Sequence, residues 1–165
     1  MVKIIYPIYS GGFCMRAAYI FGLLERYRNR LVQLAESCPE EKRNVVPTGF
    51  NNSIHWQIGH VLTVTDRLAF ALAEQTPLVP AHYTSYFGNG TKPADWQDAP
   101  PSWDSIIADL KAQPGQIQEA LGDKLELPVK ENFLKAENIG ELIAGGITHE
   151  CTHLGNIMAL MKVLK

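Results

Sequence analysis

The feature that most constrains the fold of this chain is a stripe of residues, spaced three and four apart, near its C-terminus. The stripe consists of Ile139, Leu142, Gly146, His149, His153, Asn156, Leu160 and Val163. Residues with this spacing lie along one face of an α-helix. Both ends of the stripe are apolar and its middle is polar, and a buried polar group without a partner costs about 1–3 kcal/mol. We therefore predict a helix whose polar residues lie in the core and share one partner, most economically a metal ion.

Similar periodic patterns predict helices in the first half of the chain. Apolar and aromatic residues recur at alternating four- and three-residue steps from Phe13 to Leu34, and Pro39 ends this first helix. A second helix is predicted to start at the N-cap candidates in 51–53 and to extend to about Glu74. Each helix presents an apolar face that must be buried against another element.

Two more helices are predicted in the second half. Ser102 caps a third helix, which is expected to kink or break at Pro114–Gly115 because proline lacks the backbone N–H that a helix needs. Asn138 and Glu141 form a capping-box-like pair that opens the fourth helix. Four long helices with little strand predict an all-α fold, a four-helix bundle.

The remaining segments are predicted to be connections. Residues 1–12 form a short extended N-terminal segment in this interpretation, and the helical domain covers 13–165. Residues 76–101 form a long loop between the second and third helices, and its aromatic residues favour a packed loop. Residues 124–135 are expected to form a short hairpin or an extended arm.

Composition excludes several classes of function. Of 165 residues, 15 are Lys or Arg and 17 are Asp or Glu, so the formal charge of −2 gives no basic surplus for a nucleic-acid partner. No stretch reaches the roughly 18 apolar residues that span a bilayer, so a membrane partner is not expected. Three cysteines without a C-x-x-C pair suit a reducing compartment, and we predict a cytoplasmic protein.

The histidines indicate where a metal ion would bind. His149 and His153 are four residues apart on the fourth helix, so their imidazoles differ by about 40° around its axis and can reach one ion. The third ligand is chosen from His55, His60 and His82. We choose His60, because it lies near the middle of the second helix, whereas His55 is in an easily solvated first turn and His82 is in the loop. Three neutral imidazoles leave an open coordination position, which is typical of catalytic zinc, although nickel or iron also accepts imidazole.

Residues 149–153 also spell H-E-x-x-H, the motif in which zinc proteases use the glutamate as general base. A protease is disfavoured, because Asn156 and Ala159 stand where one protease class has glycine and histidine, and because only twelve residues follow His153 for a downstream ligand.

Glu150 remains a candidate catalytic residue that orients a ligand or acts as a base, with an outward surface glutamate as the alternative. Arg67, on the His60 face, and Asn156 are candidate substrate contacts; for Arg67 the alternative is a side chain that only snorkels at the bundle end.

Several segments of the chain resemble the DinB/YfiT-like superfamily. The similarity covers about 13–165 and is carried by four segments: 52–54 (NSI), 56–60 (WQIGH), 87–91 (FGNGT) and 149–156 (HECTHLGN). One departure is Asn156, which stands where the family usually has glutamine. The resemblance implies a four-helix bundle that holds a divalent metal ion, zinc or nickel, through His60, His149 and His153.

The resemblance also implies a function. Characterised relatives are thiol-dependent enzymes, such as bacillithiol or mycothiol S-transferases and a maleylpyruvate isomerase. We therefore expect a metal-dependent S-transferase that uses a low-molecular-weight thiol and a small electrophilic substrate. The alternatives are a hydrolase that uses a metal-bound water and a non-catalytic, metal-binding stress-response protein. The resemblance implies a homodimer as well, although the sequence carries no interface signature of its own.

Overall fold

The computed structural model describes residues 12–165, so the predicted N-terminal segment lies outside the described residues except for Gly12. Within this range the helices are α1 (Gly12–Glu36), α2 (Ile54–Asp66), α3 (Tyr83–Phe87), α4 (Trp103–Leu121) and α5 (Ile139–Val163). α2 continues directly into a π-helical segment, Arg67–Ala71. The described residues contain no strand, and the arm before α5 makes a single antiparallel bridge between Pro128 and Asn138.

The four long helices form the predicted four-helix bundle. α1 packs against α4 and α5, and α2 packs against α5 and α4, while the short α3 lies on α2. The buried apolar side chains form two clusters. One cluster centres on Leu31, Ile58, Leu62, Leu110 and Ile157, and the other on Leu24, Ile117, Leu121, Ile139 and Leu142. The all-α fold class is thus confirmed.

Side-chain caps set the starts of α2, α4 and α5. Ser53 Oγ accepts the Trp56 N–H at 3.2 Å, Ser102 caps α4 in the same way, and Asn138 Oδ1 accepts the Glu141 N–H at 3.0 Å. Each bond satisfies a backbone donor that has no partner inside its helix. The three starts predicted from the sequence are therefore confirmed, whereas regular α-helix in the second segment ends at Asp66, earlier than predicted.

The sequence predicted that the third helix kinks or breaks at Pro114. A break is wrong, because α4 continues through Pro114 to Leu121. Proline at this position deprives the Leu110 carbonyl of its N–H partner one turn later. The Arg28 guanidinium replaces that partner, since its Nη1 donates to the Leu110 oxygen at 2.9 Å. A buried side chain of α1 therefore supplies the hydrogen bond that the proline removes.

The buried face of α5 differs from the predicted stripe by a rotation of the helix. The buried positions run through Ile143, Ile147, Glu150, Leu154 and Ile157. His149 and His153 lie beside this face and are half-buried, and Asn156 is exposed. The prediction that the histidines and Asn156 occupy the centre of the core is wrong, and the polar residue that α5 buries in the core is Glu150.

The partner of Glu150 is Arg28, and both side chains are buried, at 0% and 1% exposure. Arg28 Nε and Nη2 donate to the two Glu150 carboxylate oxygens at 2.9 and 3.0 Å. Arg28 Nη1 also donates to Gln113 Oε1 at 2.9 Å, and Gln113 Nε2 donates to the Leu62 carbonyl at 3.1 Å. These hydrogen bonds connect α1, α2, α4 and α5 through one polar layer inside the bundle.

Replacing Arg28 with methionine removes the charge that compensates Glu150, so we expect it to lower the free energy of unfolding by about 3–5 kcal/mol. The double variant Arg28→Met/Glu150→Leu should lose less, because neither charge is then left unpaired in the core. Urea denaturation followed by circular dichroism measures both values.

The matched control is Lys111→Met, which breaks the solvent-exposed Lys111–Glu36 ion pair between α4 and α1. Exposed pairs contribute about 0–1 kcal/mol, so this variant should be nearly neutral. An Arg28→Met protein as stable as Lys111→Met would contradict the role assigned to the polar layer.

Candidate metal centre

Three imidazoles converge between α2 and α5. His60 comes from the middle of α2 and is 5% exposed, and His149 and His153 come from successive turns of α5. His149 Nε2 lies 3.1 Å from His60 Nε2 and 3.1 Å from His153 Nε2. These are the three histidines selected from the sequence, and they form a group whose ligand atoms all lie within 4.8 Å of one another.

The spacing of these nitrogens fits a metal ion. Zinc binds histidine nitrogen at about 2.0–2.1 Å, so two nitrogens on a tetrahedral ion lie about 3.3 Å apart. The observed 3.1 Å separations are close to that value. The grouping of the three side chains around a common point is therefore suited to a divalent cation.

The hydrogen bonds on the other side of the rings support the same interpretation. His60 Nδ1 lies 2.6 Å from the Phe87 carbonyl oxygen, and His153 Nδ1 lies 2.5 Å from Gln57 Oε1. Both partners are acceptors, so Nδ1 carries the proton in each ring and Nε2 presents a lone pair to the centre of the cluster. His149 Nε2 can donate to only one of these two lone pairs. A cation satisfies all three nitrogens at once.

The Phe87 ring packs against the backbone of α2 at Gly59, and this contact fixes the position of the Phe87 carbonyl. A side chain at residue 59 would place its Cβ 2.5 Å from the Phe87 ring, so only glycine lets the ring lie against α2 at this point. Phe87 is fully buried, at the end of α3. The close approach at Gly59 therefore holds the acceptor that orients His60.

A tryptophan covers His60 and ties it to the long loop. The Trp56 ring stacks on the His60 ring with a centroid distance of 4.4 Å and an interplanar angle of 14°. Trp56 Nε1 donates to Thr91 Oγ1 at 2.9 Å, and Thr91 Oγ1 lies within hydrogen-bond distance of the Tyr86 and Gly88 carbonyls. The loop is packed, as its aromatic residues predicted, and it anchors the tryptophan that stacks on His60.

The three imidazoles are held in the neutral state. Burial lowers the pKa of His60, and burial together with the neighbouring histidines lowers the pKa of His149 to about 4 and that of His153 to about 3. Because a charged imidazole cannot bind a metal ion, the low pKa values keep all three side chains competent as ligands at neutral pH.

The other two histidines do not join the cluster. His55 was expected to be solvated, and that expectation is wrong: it is 5% exposed, with Nδ1 2.9 Å from Asn44 Oδ1 and Nε2 3.0 Å from the Pro101 carbonyl oxygen. His82 lies exposed before α3. Both ring nitrogens of His55 are occupied, so its role is to hold the ends of two loops together.

The remaining candidates have different surroundings. Glu150 is fully buried, so the alternative of an outward surface glutamate is wrong, and its carboxylate is bound to Arg28. Arg67 is exposed, with its guanidinium 5.5 Å from the centre of the Phe133 ring. Asn156 is exposed at the surface of α5. A catalytic role for Glu150 and substrate contacts by Arg67 and Asn156 stay predictions.

Sequence reasoning missed the residues that support the histidines. Gln57 lies one turn before His60 on α2, within the recognised W-x-x-x-H segment, and a polar side chain at that position was a usable signal. The Phe87 carbonyl carries no side-chain signal. Arg28 lies four residues after Leu24 and three before Leu31, so it falls on the apolar face of α1 and marks a buried charge.

Comparisons with known proteins agree with this architecture. A family model described as the DinB superfamily matches residues 23–157. A crystal structure of a conserved protein from Enterococcus faecalis has the same fold, with a TM-score of 0.61 and 16% sequence identity over 88% of this chain and 94% of that chain. At this identity the similarity shows the fold alone. The comparison with curated proteins found no match.

Removing any one of the three clustered histidines should abolish stoichiometric metal binding. We expect about one zinc or nickel ion per chain in the wild type and much less in His60→Ala, His149→Ala and His153→Ala, as measured by elemental analysis after dialysis. His82→Ala, which removes an exposed histidine outside the cluster, should bind as much metal as the wild type. Equal metal content in all five proteins would show that the ion binds elsewhere.

Gln57→Leu should weaken metal binding without removing a ligand. Loss of the acceptor that orients His153 is expected to lower metal affinity about 10–100-fold, since partners of metal-bound histidines typically have effects of this size. Gln57→Glu retains the acceptor oxygen and should restore most of the affinity. Competition titrations with a chromogenic chelator measure these constants, with the exposed Gln116→Leu as control. Wild-type affinity in Gln57→Leu would contradict the orienting role.

Proposed function

The chain belongs to the DinB superfamily, and from this premise we propose that it is a metal-dependent enzyme that transfers a low-molecular-weight thiol to a small electrophilic molecule. The observation that carries the proposal is the convergence of three neutral imidazoles in a group that contains no fourth protein ligand among residues 17–165, whose side chains the structure describes. Structural zinc sites are closed by four protein ligands, whereas catalytic sites have three and leave one position open.

The partial exposure of the site supports a role in binding a substrate. His60 is buried, but His149 and His153 are half-buried, so the open position would face a part of the surface that a small molecule can reach. A Zn²⁺ or Ni²⁺ ion bound there would stabilise a thiolate at neutral pH. The thiolate sulfur would form a bond to an electrophilic carbon, and the leaving group would depart with the electrons of the bond that breaks.

In this proposal, residues around the site orient the imidazoles and keep water and protons from them. Gln57 and the Phe87 carbonyl fix the orientation of two imidazoles, so little reorganisation is needed when a ligand arrives. Trp56 covers one face of His60 and keeps water from that side. The low pKa values of the histidines prevent protons from competing for the ligand nitrogens.

The hydrolase alternative is less well supported. In H-E-x-x-H hydrolases the glutamate between the histidines accepts a proton from the attacking water. Here both oxygens of Glu150 accept hydrogen bonds from Arg28, and the side chain is fully buried. Thiol transfer does not need this base, because the thiolate forms without it.

A small-molecule substrate is consistent with the charge of −2, and no helix in residues 12–165 is long and apolar enough to cross a membrane. A cytoplasmic location and a homodimer remain part of the proposal. A purely metal-storing protein is the alternative from another class, and it predicts metal binding without turnover.

Activity assays distinguish the thiol transferase from the hydrolase and the metal-storing protein. Zinc- and nickel-loaded protein should accelerate the reaction of a thiol with 1-chloro-2,4-dinitrobenzene, which is followed by absorbance. Removal of the ion, or His149→Ala, should lower the rate about 100-fold or more, because a bound metal contributes several kcal/mol to such steps. His82→Ala should retain the wild-type rate.

Two outcomes would contradict the proposal. No acceleration with cysteine, glutathione, coenzyme A or 2-mercaptoethanol would favour the metal-storing protein. Hydrolysis of a p-nitrophenyl ester that needs the metal but no thiol would favour the hydrolase.

A further inference from the structure

A second feature of α2 is a pocket of about 250 Å³ that lies beyond the metal centre along the helix. Its wall is formed by the end of α2 and by the loop that leads into and out of α3. Residues of the wall include Thr63, Val64, Asp66, Arg67, Val79 and Gly88. The volume suits one amino-acid-sized group, and most of the surface is apolar with two charged side chains.

The first charged side chain is Asp66, which is 4% exposed. Its Oδ1 accepts the Leu78 N–H at 2.9 Å, and the Val79 N–H also contributes. In the described part of the chain no Lys, Arg or His forms an ion pair with it. Burial raises the pKa of the Asp66 carboxyl in spite of the backbone donors. A buried carboxylate without a cation is costly, so a cationic ligand would be stabilised here.

The second charged side chain is Arg67, which is exposed at the pocket. Its guanidinium lies over the Phe133 ring, and across residues 12–165 it has no carboxylate partner. Arg67 begins the π-helical segment that ends at Ala71, and both of these residues line the pocket. π-Helical turns are uncommon and occur frequently at functional sites. The pocket therefore offers one carboxylate and one guanidinium, and neither forms an ion pair with another side chain that the structure describes.

The pocket is connected to the metal centre by the helix and by the loop. Thr63, Val64 and Arg67 follow His60 by three, four and seven residues, so they share its side of α2, and Arg67 lies about 10 Å along the axis. Gly88 in the pocket wall directly follows Phe87, whose carbonyl orients His60. An extended peptide unit spans about 3.3–3.6 Å, so a ligand of two or three units covers this distance.

We propose that this pocket binds the amino-acid head of a peptide-type thiol, with its ammonium group at Asp66 and its carboxylate at Arg67. The assignment of the ligand as a thiol rests on the proposed function, whereas the recognition of a zwitterionic head rests on the pocket alone. Thiols without such a head, and thiols whose amine is blocked, bind more weakly. The specificity of the enzyme for its thiol is then set by Asp66 and Arg67, about two turns from the metal ligands.

Binding of S-methylglutathione to the zinc-loaded protein tests the pocket without any turnover, because this thioether has no free thiol. Isothermal titration calorimetry should show that Asp66→Asn and Arg67→Met each weaken binding about 10–100-fold, since a hydrogen bond to a charged group contributes about 1.5–3 kcal/mol. Asparagine keeps the oxygen that accepts the Leu78 N–H, so the loop anchor is retained. Asp104→Asn, at an exposed position in the first turn of α4, is the matched control and should bind normally.

A second comparison uses the ligand instead of the protein. N-acetyl-S-methylglutathione lacks the ammonium group and should bind at least about tenfold more weakly to the wild type. Asp66→Asn should bind the two ligands about equally. Equal binding of both ligands by the wild type, or unchanged binding in Asp66→Asn and Arg67→Met, would overturn the proposal.

Experiments distinguish an error in the pocket assignment from an error in the proposed function. If 2-mercaptoethanol supports turnover as efficiently as glutathione, measured as kcat/KM, the enzyme is a thiol transferase and the pocket assignment is wrong. If S-methylglutathione binds with the predicted variant effects but no thiol supports turnover, the pocket assignment holds and the proposed function is wrong.

Discussion

The buried contact between Arg28 and Glu150 determines how the bundle is arranged. Two charges in a core are tolerated only when their geometry and hydrogen bonding are good, and here the guanidinium meets both carboxylate oxygens and also reaches the Leu110 carbonyl. The contact fixes the rotation of α5, because Glu150 must point inward. His149 is then turned about 100° to one side, and His153 lies beside it, so both imidazoles face α2.

The metal centre is thus built on the edge of the core and not inside it. On α5 the helix brings the two histidines together and Gln57 orients His153. On α2 His60 is positioned by neighbours that contribute no ligand. These neighbours are the Phe87 carbonyl, held by the close approach at Gly59, and the stacked Trp56 ring. This placement leaves two of the three ligands partly exposed, which is the property that an enzyme site needs and a closed structural site lacks.

Much of the fold and the three histidines could be predicted from the sequence, since periodicity, caps and the i, i+4 spacing are local properties. The rotation of α5 could not, because a stripe through His149 and a stripe through Glu150 are both possible until the partner of the buried charge is known. The continuity of α4 through Pro114 depended on the same distant partner, Arg28. The orientation of His60 depended on a backbone carbonyl, which no side-chain pattern reveals.

The central claim is that three imidazole nitrogens hold one divalent ion and leave a position open for a ligand. X-ray absorption spectroscopy of the zinc-loaded protein tests it most directly, since the method counts the donors around the ion. The account predicts three histidine nitrogens at about 2.0–2.1 Å with oxygen from solvent, and a new sulfur donor at about 2.3 Å after a thiol is added. A site closed by four protein ligands, or one unchanged by every thiol, would contradict it.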